Sequence, residues 1–448
     1  MKLNTAVAKN TPRTHEGAPA ARMTPMQALR RSVCSAFLWE DEFYENGEDI
    51  ATRVARLAGD VPVDELAALC VELRHEAKLR HMPLLLTSVL ARRGAGNGIV
   101  ADTIARVVRR PDEMGELLAI HARLNGVGPD RLKPVVSKQM KKGLARAFAR
   151  FDAYQLAKYD RDGAIRLRDV MFLVHPRPVD AEQEATWSKL IEGRLEAPDT
   201  WEVGLSTGGD KRETFTRLLT DGKLGYMALL RNLRGMLDAG VDETLVRDAI
   251  LARKGADKVL PFRFTAAARA CPRMEPVLDE ALCERILEMP VLPGRTLVLV
   301  DVSASMRQPL SRRSDMTRMD AAATLASVIH GDLRVISFSD RHVEVPARRG
   351  MAGVDAVMRS QPHGMTRLGE AVRHANTLPH DRLIVVTDEQ SRSPVPAPVA
   401  EKAYMINVAS NENGVGYGKG WTHIDGFSEN VLRFIQAREA LESESEAG

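Results

Sequence analysis

From about Met26 to Leu287, apolar residues recur three and four positions apart, the period of helices that bury one face, so this stretch is read as almost entirely α. Between Val63 and Arg93 the pattern resolves into a hairpin. One helix buries Leu66, Leu69, Leu73 and Ala77, and a second, started by Pro83, carries Leu86, Val89 and Leu90 and ends before Gly94. Similar pairs are drawn from Ala101 to Ala122 and from Glu213 to Leu237. In the last, Tyr226, Leu229, Leu230, Leu233 and Leu237 form the apolar stripe, with Arg231 and Arg234 turned away from it. The hairpins suit a HEAT-like solenoid, although no strict period identifies a named repeat.

The texture changes at Met289-Pro-Val-Leu-Pro-Gly294, where two prolines and a glycine precede a compact apolar run. Four runs then alternate with helix-like segments: Thr296 to Val300, Leu333 to Phe338, Leu383 to Thr387 and Tyr404 to Val408. Continuous β-branched runs separated by helices predict a mostly parallel sheet covered on both faces. Val431 to Leu441 is expected to form a terminal helix, and Glu442 to Gly448 an acidic tail that frays into solvent.

Composition narrows this picture only slightly. The 448 residues carry a net charge of +3, which neither demands nor excludes a nucleic-acid partner, so the distribution of charge has to decide. Cys34, Cys70, Cys271 and Cys283 lack CxxC spacing, and reduced thiols in a cytoplasmic protein are expected. The first 23 residues hold no continuous apolar stretch and read as a mobile arm, not a signal peptide, and no later segment has the length of a membrane span.

The distribution is informative. Arg131 to Arg177 contains 12 Lys and Arg against 4 Asp and no Glu, a larger surplus than that of the whole chain. If Ser137 to Phe151 is helical, Met140, Leu144, Phe148 and Phe151 face inward, while Lys138, Lys142, Arg146 and Arg150 form a slowly drifting basic stripe beside Lys141. Lys158, Tyr159, Arg161, Arg166, Arg168, His175 and Arg177 follow, mixing phosphate-binding charge with groups that stack or hydrogen-bond. A basic helix face is by itself most often a solvated face. The cluster points to irregular or single-stranded RNA.

The second chemical signal is Asp301-Val-Ser-Ala-Ser305, directly after the first strand, where α/β sheets present ligand-binding loops. Asp301, Ser303 and Ser305 alternate; Thr366 in Gly364-Met-Thr-Arg367 and Asp388 after the third run complete an all-oxygen cluster suited to Mg²⁺. Such a site leaves a position for an external carboxylate or phosphate. Ser and Thr that merely cap helices and turns are the plain alternative. This five-residue pattern resembles the metal-ion-dependent adhesion site of von Willebrand factor A domains, a resemblance spanning Leu292 to about Leu441. Glu389 and Ala304 depart from it, standing where many adhesive members have glycine. Phosphotransferases that use Asp-x-Asp need a second carboxylate where Ser303 stands, and no Walker loop, nucleophile elbow or HExxH motif is present, so an enzyme is not expected.

Several blocks together resemble the TROVE-domain family, which includes the Ro autoantigen. They are His15-Glu-Gly-Ala-Pro-Ala20, His175-Pro-Arg-Pro178, Pro198-Asp-Thr-Trp-Glu202, the stretch from Asp221 to Arg234, and Leu260-Pro-Phe-Arg-Phe264, with Asp301-Val-Ser-Ala-Ser305 downstream in the family order. The resemblance implies a flexible arm (1–22), a HEAT-like helical-repeat ring that binds RNA (23–291), an α/β metal-binding domain of von Willebrand factor A type (292–441) and the acidic tail (442–448). It further implies a monomer that binds Y-like small RNAs on its outer surface and single-stranded ends of misfolded RNAs in the ring's hole. The role would be RNA quality control or delivery to an exoribonuclease, without DNA specificity, membrane attachment or cleavage of RNA. Lys158, Tyr159 and His175 carry the implied RNA contact. The runner-up reading is a metal-dependent protein-binding scaffold, and the third a metal-dependent phosphohydrolase or nuclease.

Overall fold

The computed structural model describes residues 12–34, 47–310 and 316–439, apart from positions 15, 21, 78, 95, 161–162, 197–198, 207, 290, 410–413, 417, 419, 427–430, 433 and 437. The expected acidic tail and Arg161 lie outside the described residues. Sixteen α-helices come first among them: α1 (Pro25–Cys34), α2 (Gly47–Gly59), α3 (Val63–His75), α4 (His81–Arg93), α5 (Gly98–Val107), α6 (Asp112–Leu124), α7 (Lys138–Phe148), α8 (Ala153–Tyr159), α9 (Leu167–Val174), α10 (Ala181–Ile191), α11 (Trp201–Ser206), α12 (Lys211–Thr220), α13 (Tyr226–Asp238), α14 (Glu243–Leu251), α15 (Phe262–Ala270) and α16 (Glu275–Leu287). They precede an α/β region made of β1 (Leu292–Asp301), α17 (Arg318–Val328), β2 (Gly331–Phe338), β3 (His342–Val345), α18 (Gly350–Met358), α19 (Leu368–Ala375), β4 (Arg382–Thr387), β5 (Lys402–Asn407) and β6 (Thr422–Asp425).

Contacts divide the described residues into two compact units, one holding residues 47–218 and the other joining 12–34 and 219–439. The expected pair Glu213 to Leu237 is therefore shared between units: α12 begins in the first and α13 lies in the second.

In the helical unit, α4 is the central element. Its residues from Met82 to Ala91 are all buried, and α2, α3, α5 and α6 pack around it. Pro83 sits in the first turn, as expected, while Ala77 falls beyond the end of α3 and is only partly buried. Polar groups inside are paired: Thr87 donates to the Pro83 carbonyl at 2.7 Å, Ser88 meets His121 Nδ1 at 2.9 Å, and His121 Nε2 meets the Val135 carbonyl at 3.1 Å. Helix α7 packs against α5 so closely that a Cβ at Gly143 would stand 2.8 Å from the Ala101 carbonyl oxygen.

The other unit is built on a six-stranded sheet of order β3-β2-β1-β4-β5-β6, parallel except for β3. Leu297, Leu299, Ile336, Phe338, Leu383, Val385 and Met405 pack with Leu368 and Val372 of α19 in one core layer. The alternate residues Val298, Val300, Ile384 and Val386 are buried too, so both faces are covered. The four expected runs are strands. The short, half-exposed β3 and β6 were not predicted.

Residues 12–20 depart from the expectation of a mobile arm. Arg13 bridges Pro19, Ala18 and Ala20 are buried, and buried Thr14 donates through Oγ1 to the Ser391 carbonyl at 2.7 Å. At the other end, described residues between 431 and 439 are helical, and buried Glu439 binds Arg382 and accepts from the Tyr404 hydroxyl at 3.0 Å.

Candidate metal centre and nucleic-acid interface

The metal candidates meet at the carboxyl edge of the sheet. The chain leaves β1 for β2 on one side and later crosses from β3 to β4 on the other side of β1, and the crevice between β1 and β4 is where α/β folds place ligands. Asp301 ends β1 and Asp388 follows β4; both are fully buried. Asp301 accepts from the Ser303 amide at 2.9 Å and from Thr387 Oγ1 at 2.6 Å. The hydroxyls of Ser303 and Ser305 are 3.3 Å apart, and Thr366 Oγ1 donates to Ser303 Oγ at 3.0 Å. The Asp388 carboxylate folds back to accept from the Gln390 amide at 3.1 Å.

The Thr366 loop is fixed from below. Ser339 Oγ accepts from the Gly364 amide at 2.7 Å, and a Cβ at Gly364 would overlap the Asp340 carboxylate. A side chain there would have to displace the exposed Asp340 carboxylate.

Burial and then the neighbouring Asp388 push the Asp301 carboxyl up to about 7. Two carboxylates held this close without water repel each other, and a divalent cation would offset both the repulsion and the lost solvation. The donor set of two carboxylates and three hydroxyls fits a hard cation that keeps some of its waters. Among the described residues no group of three or more His, Cys, Asp or Glu side chains is arranged to hold a metal ion.

Glu389 takes a backbone conformation that favours glycine. Its φ is +61°, in the left-handed region that strains side chains other than glycine. A buried charge network holds it there. Arg31, reaching from α1 and only 1% exposed, lies 3.1 Å from Glu389 Oε1; the Gly416 amide donates to Oε2 at 2.9 Å; and His423 Nε2 meets Oε1. Burial would raise the Glu389 carboxyl, yet Arg31 and His423 outweigh it and hold the group down to about 2. His423, depressed by burial but lifted by Glu389 and Asp425, is raised to about 9 and carries its proton. Helix α1 thus grips the residue next to Asp388, while Thr14 binds the backbone at Ser391. None of this was visible in the sequence, where Arg31 and Glu389 stand far apart.

The RNA candidates lie on α7, α8 and α9 of the helical unit. Helix α7 starts at an N-cap, Ser137, whose Oγ accepts from the Met140 amide at 3.2 Å; Met140, Leu144 and Phe148 are buried as expected, and Phe151 is buried just past the helix end. Lys138 and Lys142 are exposed and Lys141 half-buried. Two basic residues of the stripe have protein partners: Arg146 pairs with Asp102 at 2.5 Å, and Arg150 donates to the Val108 carbonyl at 2.8 Å. The Arg146 pair is exposed on both sides and can exchange for phosphate at little cost.

On α8, Tyr159 has the Arg110 guanidinium 4.4 Å from its ring centre, so one face is covered. Tyr154, which sequence reading passed over, is 53% exposed and lies 5.9 Å from Lys158 Nζ. Helix α9 packs on α7 and α6. Arg166 stands at its N-cap, Arg168 is exposed in its first turn, and exposed His175 ends it with φ +48°.

Residues 191–309 match the TROVE domain model, a segment that includes the blocks at Pro198, Asp221 and Leu260 and ends just after Asp301-Val-Ser-Ala-Ser305. The chain is 31% identical over 128 residues to telomerase protein component 1 of Mus musculus and 34% identical over 87 residues to that of Rattus norvegicus. These alignments cover 27% and 18% of the chain but only 5% and 3% of those much longer relatives. Among solved structures, the Ro (RSR) protein of Deinococcus radiodurans superposes with a TM-score of 0.60 at 17% identity, covering 92% of this chain and 99% of that one. The resemblance to the TROVE-domain family read from the sequence is thus shown by the TROVE domain match at residues 191–309, and the fold of nearly the whole chain is that of the Deinococcus Ro (RSR) protein.

Proposed function

We propose that this protein is an RNA-binding ribonucleoprotein subunit that engages Y-like small RNAs and the single-stranded ends of misfolded or defective non-coding RNAs. Its role would be to retain them or pass them to a nuclease without cutting them. One observation carries the reading: within the basic stretch Arg131 to Arg177, Lys138 and Lys142 of α7 and Arg168 of α9 are exposed on a folded apolar base and Tyr154 of α8 offers an open ring. Cations toward solvent beside aromatic faces suit unpaired, stackable nucleotides better than a uniform duplex. The TROVE domain match supports RNA as the ligand class.

Mg²⁺ is proposed to occupy the Asp301, Ser303, Ser305, Thr366 and Asp388 cluster, with an external carboxylate or phosphate completing its coordination. When bound, the cation would supply electrophilic attraction for such a group. The chain's own residues hold the hydroxyls in place and bury the two carboxylates. Capture of an acidic protein partner at this edge is the second reading, favoured by the buried, preformed oxygen cluster.

The test is gel-shift binding of a stem-loop RNA with a free 3′ end, beside a blunt duplex and with the RNA recovered intact afterwards. Tail-dependent binding without cleavage is expected. No binding at low salt overturns the RNA reading, whereas metal-dependent turnover abolished by Asp301→Ala would overturn the non-enzymatic one.

A further inference from the structure

Helix α9 is short and one-sided. It buries Leu167, Val170, Met171, Leu173 and Val174, yet Phe172 in the middle of this run leaves 55% of its surface in water. Phe172 follows Arg168 by four residues and precedes His175 by three, so the three share one outward face, and all are exposed. An exposed phenyl ring between two cationic or hydrogen-bonding groups forgoes hydrophobic stabilisation that an inward position would supply.

The same ring lines an open cleft of about 860 Å³ within the helical unit. The buried side chains of Leu132 and Leu173 contribute an apolar lining, and Arg131, Lys133, Asp130 and Asp169 supply charged groups. Arg131 and Asp130 approach only to 3.8 Å and are 81% and 79% exposed, so neither is committed to the other. These parts match a nucleotide: a flat apolar face for a base, cations for phosphate, and carboxylates that accept from exocyclic amines.

We infer that this cleft is a base-stacking subsite that takes an unpaired, amine-bearing base of single-stranded RNA such as adenine, with the base against Phe172, the flanking phosphates on Arg131, Lys133 and Arg168, and the exocyclic amine on Asp130. A paired base inside a helix cannot offer its face to the ring, so the cleft selects unpaired nucleotides. This assignment rests on the RNA-binding reading above and sharpens it to one side chain whose contribution is not electrostatic.

The test compares wild type with Phe172→Ala, Phe172→Trp and Lys142→Glu/Arg146→Glu, using a twelve-nucleotide oligoadenylate and a blunt RNA duplex across a salt series. Phe172 is exposed, so circular dichroism of its variants should match wild type. Phe172→Ala is expected to weaken oligoadenylate binding about tenfold, within the range for loss of one base–aromatic stack, with the salt slope and duplex binding unchanged. Phe172→Trp should restore it. Wild-type affinity in Phe172→Ala, equal weakening toward the duplex, or no rescue by Trp would each overturn the subsite. If Phe172→Ala binds normally while the Lys142/Arg146 variant does not, the subsite alone fails; if wild type binds neither probe, the RNA reading fails with it.

Discussion

The sheet edge and the basic helical face solve opposite problems. At the sheet edge, Asp301, Asp388, Glu389 and Arg31 are almost completely removed from water, and buried hydrogen bonds and an ion pair fix the geometry of the cluster. On α7 to α9 the functional candidates are surface groups over an apolar base, and the few pairs they make, such as Arg146 with Asp102, are open to solvent. Buried charge is costly to break and is tied to folding; exposed charge is nearly free to change and acts on ligands. Substitutions should therefore separate the two regions: stability responds at the first and affinity at the second.

The largest stability effect is expected at the Arg31–Glu389 pair. Arg31→Ala removes one of the two cations that face the buried Glu389 carboxylate and should cost about 3–5 kcal/mol in urea denaturation. Adding Glu389→Gly removes the stranded charge and suits the φ of +61°, so the double variant should recover more than half of that loss. Additive losses would show that the network is not a coupled unit.

Next in size is a pH effect. His423 is raised to about 9 from an ordinary value of 6.5 because Glu389 and Asp425 face it and outweigh burial, even with Arg31 sharing the same Glu389 oxygen 3.4 Å from His423 Nε2. A raised histidine contributes stability fully below about pH 6.5 and loses it as pH climbs through about 9. Unfolding free energy should fall across that window by up to about 3 kcal/mol, and His423→Gln should flatten the fall. A wild-type curve that is already flat would contradict the charged state assigned to His423.

A comparable change is expected on adding metal. Mg²⁺ at a hundredfold excess over its dissociation constant should stabilise wild type by about 2.7 kcal/mol. Asp301→Asn should abolish that gain in thermal unfolding while leaving the metal-free protein at least as stable at pH 8, because it removes one of two repelling carboxylates. Equal stabilisation of both proteins by Mg²⁺ would place the cation elsewhere. The smallest stability effect is expected from Lys142→Glu/Arg146→Glu, within about 0.5 kcal/mol per site by denaturation.

How much of this could be read in advance follows the same division. Central strands were legible because continuous runs such as Leu297 to Val300 have no other stable use, and α7 because its apolar and basic positions separate at helical spacing. Short His342–Val345 and Thr422–Asp425 carry too little apolar signal. The five metal candidates were legible as a spaced oxygen pattern, whereas the support from Thr387, Ser339 and Arg31 depends on contacts between distant segments. Phe172 was hidden for the opposite reason: in Val-Met-Phe-Leu-Val it looks like core, and only the short, one-sided packing of α9 turns it outward. Periodicity reports which residues are able to be buried; the structure decides which are left outside.

The central claim is that the basic helical face binds unpaired RNA, and it is tested most directly by measuring affinity for a stem with a free 3′ tail across a salt series, for wild type and Lys142→Glu/Arg146→Glu. The account predicts tail-dependent binding whose log–log salt slope is about −0.7 per neutralised phosphate, and a double variant that binds more weakly with a slope shallower by about 1.4. Equal affinity and equal slope in a folded double variant, or equal affinity for the tailed RNA and the blunt duplex, would contradict it.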